Sequence, residues 1–149
     1  MEQSKSAIKY GIVIGSVLIG YFLIIRSLGL AEVYWLRLIN GIILGYGIYY
    51  AIKKNKEYLN NHINYFDGIG LGIKSGLVAT GIFVTFLAIY MYHIDTGFSE
   101  RLMTKLGWNI NNPEKILLVT IFMEGIASTV ILSLTFMQLF KTSWNIEEK

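Results

Sequence analysis

Glu124 is the residue best placed to do chemistry. It stands in an apolar run from Ile116 to Phe140, about eight residues or roughly 12 Å inside the end of that run at 1.5 Å per helical residue. An ionisable group so deep in a membrane segment is rare, and it marks either a proton or cation site or a charge kept paired for packing. Three basic residues lie in or beside the other apolar runs: Arg26, Arg37 and Lys74. By depth, Arg37 and Arg26 can reach toward Glu124 from the boundary nearest it. Lys74 lies closer to the opposite boundary, where its stem can follow the helix while the ammonium reaches the headgroups.

Other chemistry finds little support. His62 and His93 fall in connections expected on opposite sides of a membrane, and no H-E-x-x-H spacing exists, so no metal site is expected. The absence of cysteine excludes disulfides and thiolate ligands. Hydroxyl and amide residues occur within the apolar runs, among them Ser16, Asn40, Ser75, Thr80, Ser128 and Thr129, but no base accompanies them. In such segments they more often bond a neighbouring helix or their own backbone. Neither an enzyme nor a cofactor is therefore expected. Tyr21, Tyr46, Phe83 and Phe122 could line a pocket for a quinone or a lipid tail, yet plain packing explains them without a convergent polar group.

The elements that must carry these residues read as membrane helices. Of 149 residues, 54% are hydrophobic and only 15% charged, with a mean hydropathy of +0.51, which sets the chain apart from soluble domains of this size. Four spans are expected, at about 8–26, 33–52, 68–92 and 116–140, forming an all-α membrane protein with a compact bundle of four transmembrane helices. Arg26 and several interior glycines argue against a cleaved signal at the first run. Tyr34, Trp35, Tyr90, Tyr92 and Trp144 supply interfacial aromatics. In the 93–115 connection, Ser99 is read as the start of a short amphipathic surface helix with Leu102, Met103 and Leu106 on one face.

Glycines mark the packing faces. Gly11 and Gly15, Gly41 and Gly45, and Gly68, Gly72 and Gly76 recur every four residues, which lets a neighbouring backbone approach closely. Gly11, Gly15 and Gly20 also match Gly72, Gly76 and Gly81 at a constant offset of 61. That offset is compatible with two copies of a helical hairpin, although glycine is common enough in membrane helices to produce it without duplication.

Orientation follows from basic residues. One side would hold Lys5, Lys9, Lys53, Lys54, Lys56, Lys141 and Lys149, and the other Arg26, Arg37, Arg101, Lys105 and Lys115. The compact lysine cluster at 53–56 places both termini in the cytoplasm. The same topology accounts for the net charge of +3 without a nucleic-acid partner.

The segment from Tyr65 to Leu106 resembles a family of small four-span bacterial membrane proteins of unknown function. The likeness rests on Tyr65 and Phe66, on Gly72, Lys74 and Gly76, and on Ile94, Asp95, Phe98 and Glu100, with Thr96 where such families carry a proline. The resemblance implies a bacterial inner-membrane protein with no established activity. The residues themselves point to a structural or accessory component that self-associates or docks on a larger membrane complex within the lipid bilayer. The alternative is a small transporter or channel built around Glu124.

Overall fold

The computed structural model describes residues 2–58 and 64–140, the side chains of Glu2, Gln3 and Tyr34 excepted. The expectations for His62, Lys141, Trp144 and Lys149 lie outside those residues. Every described element is helical: α1 Glu2–Ser27, a 3-10 turn Tyr34–Leu36, α2 Arg37–Tyr58, α3 Tyr65–Ile89 continued by a π turn Tyr90–Ile94, α4 Phe98–Lys105 and α5 Pro113–Phe140.

Three stretches are long and apolar enough to cross a membrane: Ser4–Ser27, Tyr65–Ile94 and Pro113–Phe140. The second expected span is not among them, for a physical reason. The uncharged part of α2 runs from Leu38 to Ile52, roughly 22 Å of helix, against a hydrocarbon core of about 30 Å. Arg37 precedes it and Lys53, Lys54, Lys56 and Glu57 complete the helix.

Local chemistry sets the ends. Gly29 and Gly107 adopt φ of 71° and 75°, a left-handed conformation that favours glycine. There Leu30 N–H donates to the Ile25 carbonyl and Trp108 N–H to the Met103 carbonyl, closing the termini of α1 and α4. Pro113 opens α5, where a missing N–H costs nothing.

The helices pack through small residues in regular register. α3 is central and lies against α1, α2 and α5. In its seam with α5, side chains added at Gly72, Gly76 and Gly125 would collide with Ser133, Thr129 and Thr80 respectively. These positions advance by four on each helix in opposite directions, so α3 and α5 are antiparallel. In the seam with α1, Gly11 lies under Val78 and Gly15 under Ile82, and the constant step shows that α1 and α3 run the same way. Gly47 of α2 receives Ile14 of α1. Gly68 is buried on α3.

This packing bears on three of the readings above. Within this chain Gly41 brings no neighbouring backbone close, since a side chain there would meet nothing within 4 Å. The glycines related by the offset of 61 do not share an environment: Gly72 and Gly76 face α5, whereas Gly11 and Gly15 face α3, and Gly20 and Gly81 face open space. A hairpin duplication would have turned Gly11 and Gly15 toward α2. Finally, α4 begins at Phe98 after Gly97, so that Ser99 is not its cap but a buried residue of its first turn. Its apolar face does not lie on a lipid surface either; Phe98, Leu102 and Met103 are buried against the other helices.

Candidate functional site

α2 and α5 run side by side in the same direction and in one register. Arg37 stands opposite Glu124, Gly45 opposite Leu132 and Tyr49 opposite Phe136, each pair 87 residues apart. The lower part of this seam is closed. Leu132 fills the space at Gly45, and the Tyr49 ring lies 5.5 Å from Phe136 and 5.3 Å from Phe140. In the same register Gly41 falls opposite Ser128, and two such small residues leave a gap.

That gap is the mouth of a cleft. Its volume of about 80 Å³ exceeds the roughly 10–15 Å³ that one water requires. Buried Leu18 and Phe22 of α1, Phe83 and Leu87 of α3, and Phe98 and Leu102 of α4 line its interior. The lining residues that keep surface exposure, Arg37, Gly41, Glu124 and Ser128 among them, all belong to α2 or α5. The cleft therefore opens sideways, between those two helices, beneath the roof formed by α4.

Arg37 Nη2 donates to Glu124 Oε2 at 3.0 Å across the mouth. The arginine side chain is 24% exposed and the glutamate 53%, so the carboxylate is the more accessible charge although it lies about 16 Å along α5 from Pro113. Asn40, one turn from Arg37 and also in the lining, has a buried Oδ1 with no hydrogen-bond partner among the described residues. Below Ser128, Ser133 donates to the Thr129 carbonyl and Ser75 to the Leu71 carbonyl, each on its own helix, while the buried Thr129 Oγ1 has no hydrogen-bond partner among the described residues. Both serines are fully buried. Among the described residues the cleft is blind toward the end of the bundle that holds Lys53 and Lys54.

Neither remaining cation joins the pair. Arg26 binds Asp95 instead of reaching toward Glu124. Lys74 is exposed on α3 and has no ion-pair partner among the described residues. His93 lies exposed in the π turn, and no group of metal-binding side chains occurs among the described residues.

Set against family models, curated proteins and solved structures, the chain finds no match. The site must be read from its own geometry.

Arg26 belongs to a second cluster, which holds the roof in place. Asp95 accepts from Arg26 and, at 2.7 and 2.9 Å, from Arg101 of α4. Arg101 also donates to Glu32 at 2.8 Å, and Lys105 reaches the same carboxylate at 2.6 Å. Charges of alternating sign thus join the end of α1, the α1–α2 connection, the π turn and α4. The bond from Arg101 holds the Asp95 carboxyl below its usual range, and those from Lys105 and then Arg101 do the same for Glu32. Under the cluster, the Phe22 ring packs edge-on against Phe83, Phe86, Tyr90 and Phe98 at 5.1 to 6.4 Å.

The π turn makes this possible. Asp95 N–H donates to the Tyr90 carbonyl, a five-residue step that widens the last turn of α3 and returns Asp95 toward Arg26. Sequence reasoning missed Glu32, Arg101 and Lys105 as partners. A signal exists, because Arg26 and Asp95 are 69 residues apart, as are Glu32 and Arg101. That separation nearly equals the register of Gly11 with Val78 and of Gly15 with Ile82, and it becomes visible once α1 and α3 are known to lie side by side.

Proposed function

We propose that this chain is a four-span protein of the bacterial inner membrane, with cytoplasmic termini, that acts by binding within the bilayer as a structural or accessory component. The observation that carries the reading is Glu124: a half-exposed carboxylate at membrane depth, beside a blind lateral cleft. Lipid cannot solvate such a group, whose transfer to the middle of a helix costs about 2.5–3.5 kcal/mol even on lenient scales. A protein surface that covers it removes the penalty.

The packing of α2 supports a fourth span. Gly45 meets Leu132, Gly47 meets Ile14 and Ile48 approaches Gly72, so the middle of α2 shares the level of the three long apolar helices. The lysine cluster at 53–56 supports a cytoplasmic placement of that end. Transport draws less support, because the seams below the cleft are filled at Gly45, Gly72 and Gly76 and Ser75 and Ser133 bond within their own helices.

Gentle extraction into lipid nanodiscs followed by native mass spectrometry tests the reading. A stoichiometric protein companion, or a second copy, is the expected result. A chain that always migrates alone, together with ion flux in reconstituted vesicles, would replace it with the transport reading.

A further inference from the structure

We infer that the face between α2 and α5 is the contact surface for a second copy of this chain, related by a two-fold axis along the bundle, with the partner copy supplying an arginine to Glu124. The inference rests on the binding reading above and names the companion.

Only Oε2 of Glu124 is bonded to Arg37, and the carboxylate has capacity for further donors. Arg37 likewise uses a single Nη2 contact of its five N–H groups. A companion must therefore offer both an anion and a cation, at a level inside the bilayer where few proteins place either. A second copy in the same membrane orientation meets this requirement without any coincidence of sequence, because its own Arg37 and Glu124 lie at the same depth. In a two-fold contact each residue meets the reciprocal residue. Arg37 of one copy then faces Glu124 of the other, and four charges of alternating sign close a neutral ring over the two mouths.

Shape agrees with charge. On α2 the mouth is flanked by Leu38 and Ile42, 60% and 69% exposed, and on α5 by Ile131, 62% exposed. One turn from Ile131, exposed Ala127 leaves a low point on α5 between Ile131 and Met123, the latter 60% exposed, which admits the bulkier α2 flank of a partner.

The absence of cysteine makes a direct test available. Chains carrying Ile42→Cys are reconstituted with chains carrying Ala127→Cys in nanodiscs and oxidised, and Leu77→Cys on the far side of α3 serves as the control. Cross-linking of the 42 and 127 positions without the control, with a native mass twice the 16.9 kDa of the chain, is expected. A charge exchange supplies the second measurement. Arg37→Glu chains and Glu124→Arg chains should each lose dimer, and mixing them should restore it as a heterodimer, since only the mixture places opposite charges across the interface. If the chain travels with a different protein, the dimer fails while the binding reading stands. If it travels alone or with lipid in the cleft, both fail.

Discussion

Thr129 fills the space that a side chain at Gly76 would occupy, with its Cβ, Oγ1 and Cγ2 all within 3 Å of the missing atom. The same relationship recurs one turn away in each direction, at Gly72 with Ser133 and at Gly125 with Thr80. Three positions thus let α3 and α5 approach to the distance at which the hydroxyl residue of one helix sits on the bare backbone of the other. Gly76→Ala should destabilise the bundle by about 1–3 kcal/mol, the usual range for overpacking a well-filled site. Gly81→Ala, on open space in the same helix, should be neutral or slightly stabilising. Unfolding in mixed micelles compares the two, and equal effects would mean that the α3–α5 seam is looser than its geometry.

A parallel contrast exists on α2. A Cβ at Gly47 would fall on Ile14, whereas one at Gly41 would meet nothing. Gly41→Ala should raise helix stability by up to about 1 kcal/mol through propensity alone. Gly47→Ala should lower it. If both lower it, Gly41 is held by a contact that the single chain lacks, and the measurement repeated at high dilution in nanodiscs separates that case from a local effect.

Asp95 and Glu32 give the roof a defined response to pH. Both carboxyls are held below their usual range in the folded state, Asp95 chiefly by Arg101 and Glu32 chiefly by Lys105. A carboxylate with a depressed value adds stability that is fully present above its ordinary pKa and is lost as the pH falls through the folded value. Docking of α4 should therefore be constant from pH 8 to about 5 and weaken below about pH 4. Hydrogen exchange of the amides from Phe98 to Lys105, corrected for intrinsic rate, would show it. A change between pH 6 and 8 would contradict the assignment.

Replacing one member of this cluster should act locally. Asp95→Asn removes the charge shared by Arg26 and Arg101, and local opening of α4 should become easier by about 1 kcal/mol, at the low end for charged hydrogen bonds because Arg101 is 45% exposed and screened. Glu100→Gln, on an exposed residue of the same helix, should leave exchange unchanged. Faster exchange throughout α5 as well would mean that the cluster stabilises the whole bundle.

The contrast between these sites shows what could be read from sequence. Period and composition reveal long apolar helices such as Tyr65–Ile94 because a bilayer demands them of any spanning segment. Glycine spacing likewise exposes the face of α3 that carries Gly72 and Gly76. Which helix meets that face is not local information: Gly41 and Gly45 share one motif, yet Gly45 lies under Leu132 while Gly41 opens the cleft, because α5 supplies leucine at one level and serine at the other. The roof cluster was hidden for the same reason: Glu32 and Asp95 lie in connections, Arg26, Arg101 and Lys105 on two helices, and their meeting depends on a five-residue π turn. Position in the apolar run pointed to Glu124 and left Arg26 and Arg37 both open as its partner; the choice of Arg37 and the cleft beside the pair came only with the packing of α2 on α5.

Arg37 and Glu124 bridge the mouth at 3.0 Å, and below them the next closed point of the seam is Gly45 with Leu132. In the bilayer placement proposed above, Arg37→Met alone leaves a carboxylate at membrane depth without a counter-charge, and Glu124→Gln alone leaves a guanidinium in the same position. Each should destabilise the bundle, because removing one partner of a desolvated pair exposes the other to an environment that does not solvate it. Arg37→Met together with Glu124→Gln removes both charges and should recover much of the loss. A double-mutant cycle in nanodiscs is expected to give a coupling above about 0.5 kcal/mol, the scatter found for independent sites. Effects that add within that margin would mean the ion pair does not hold the mouth. The cycle should be run at two protein concentrations: a coupling that grows with concentration belongs in part to the interface between copies, and one that stays constant belongs to the seam within a single chain.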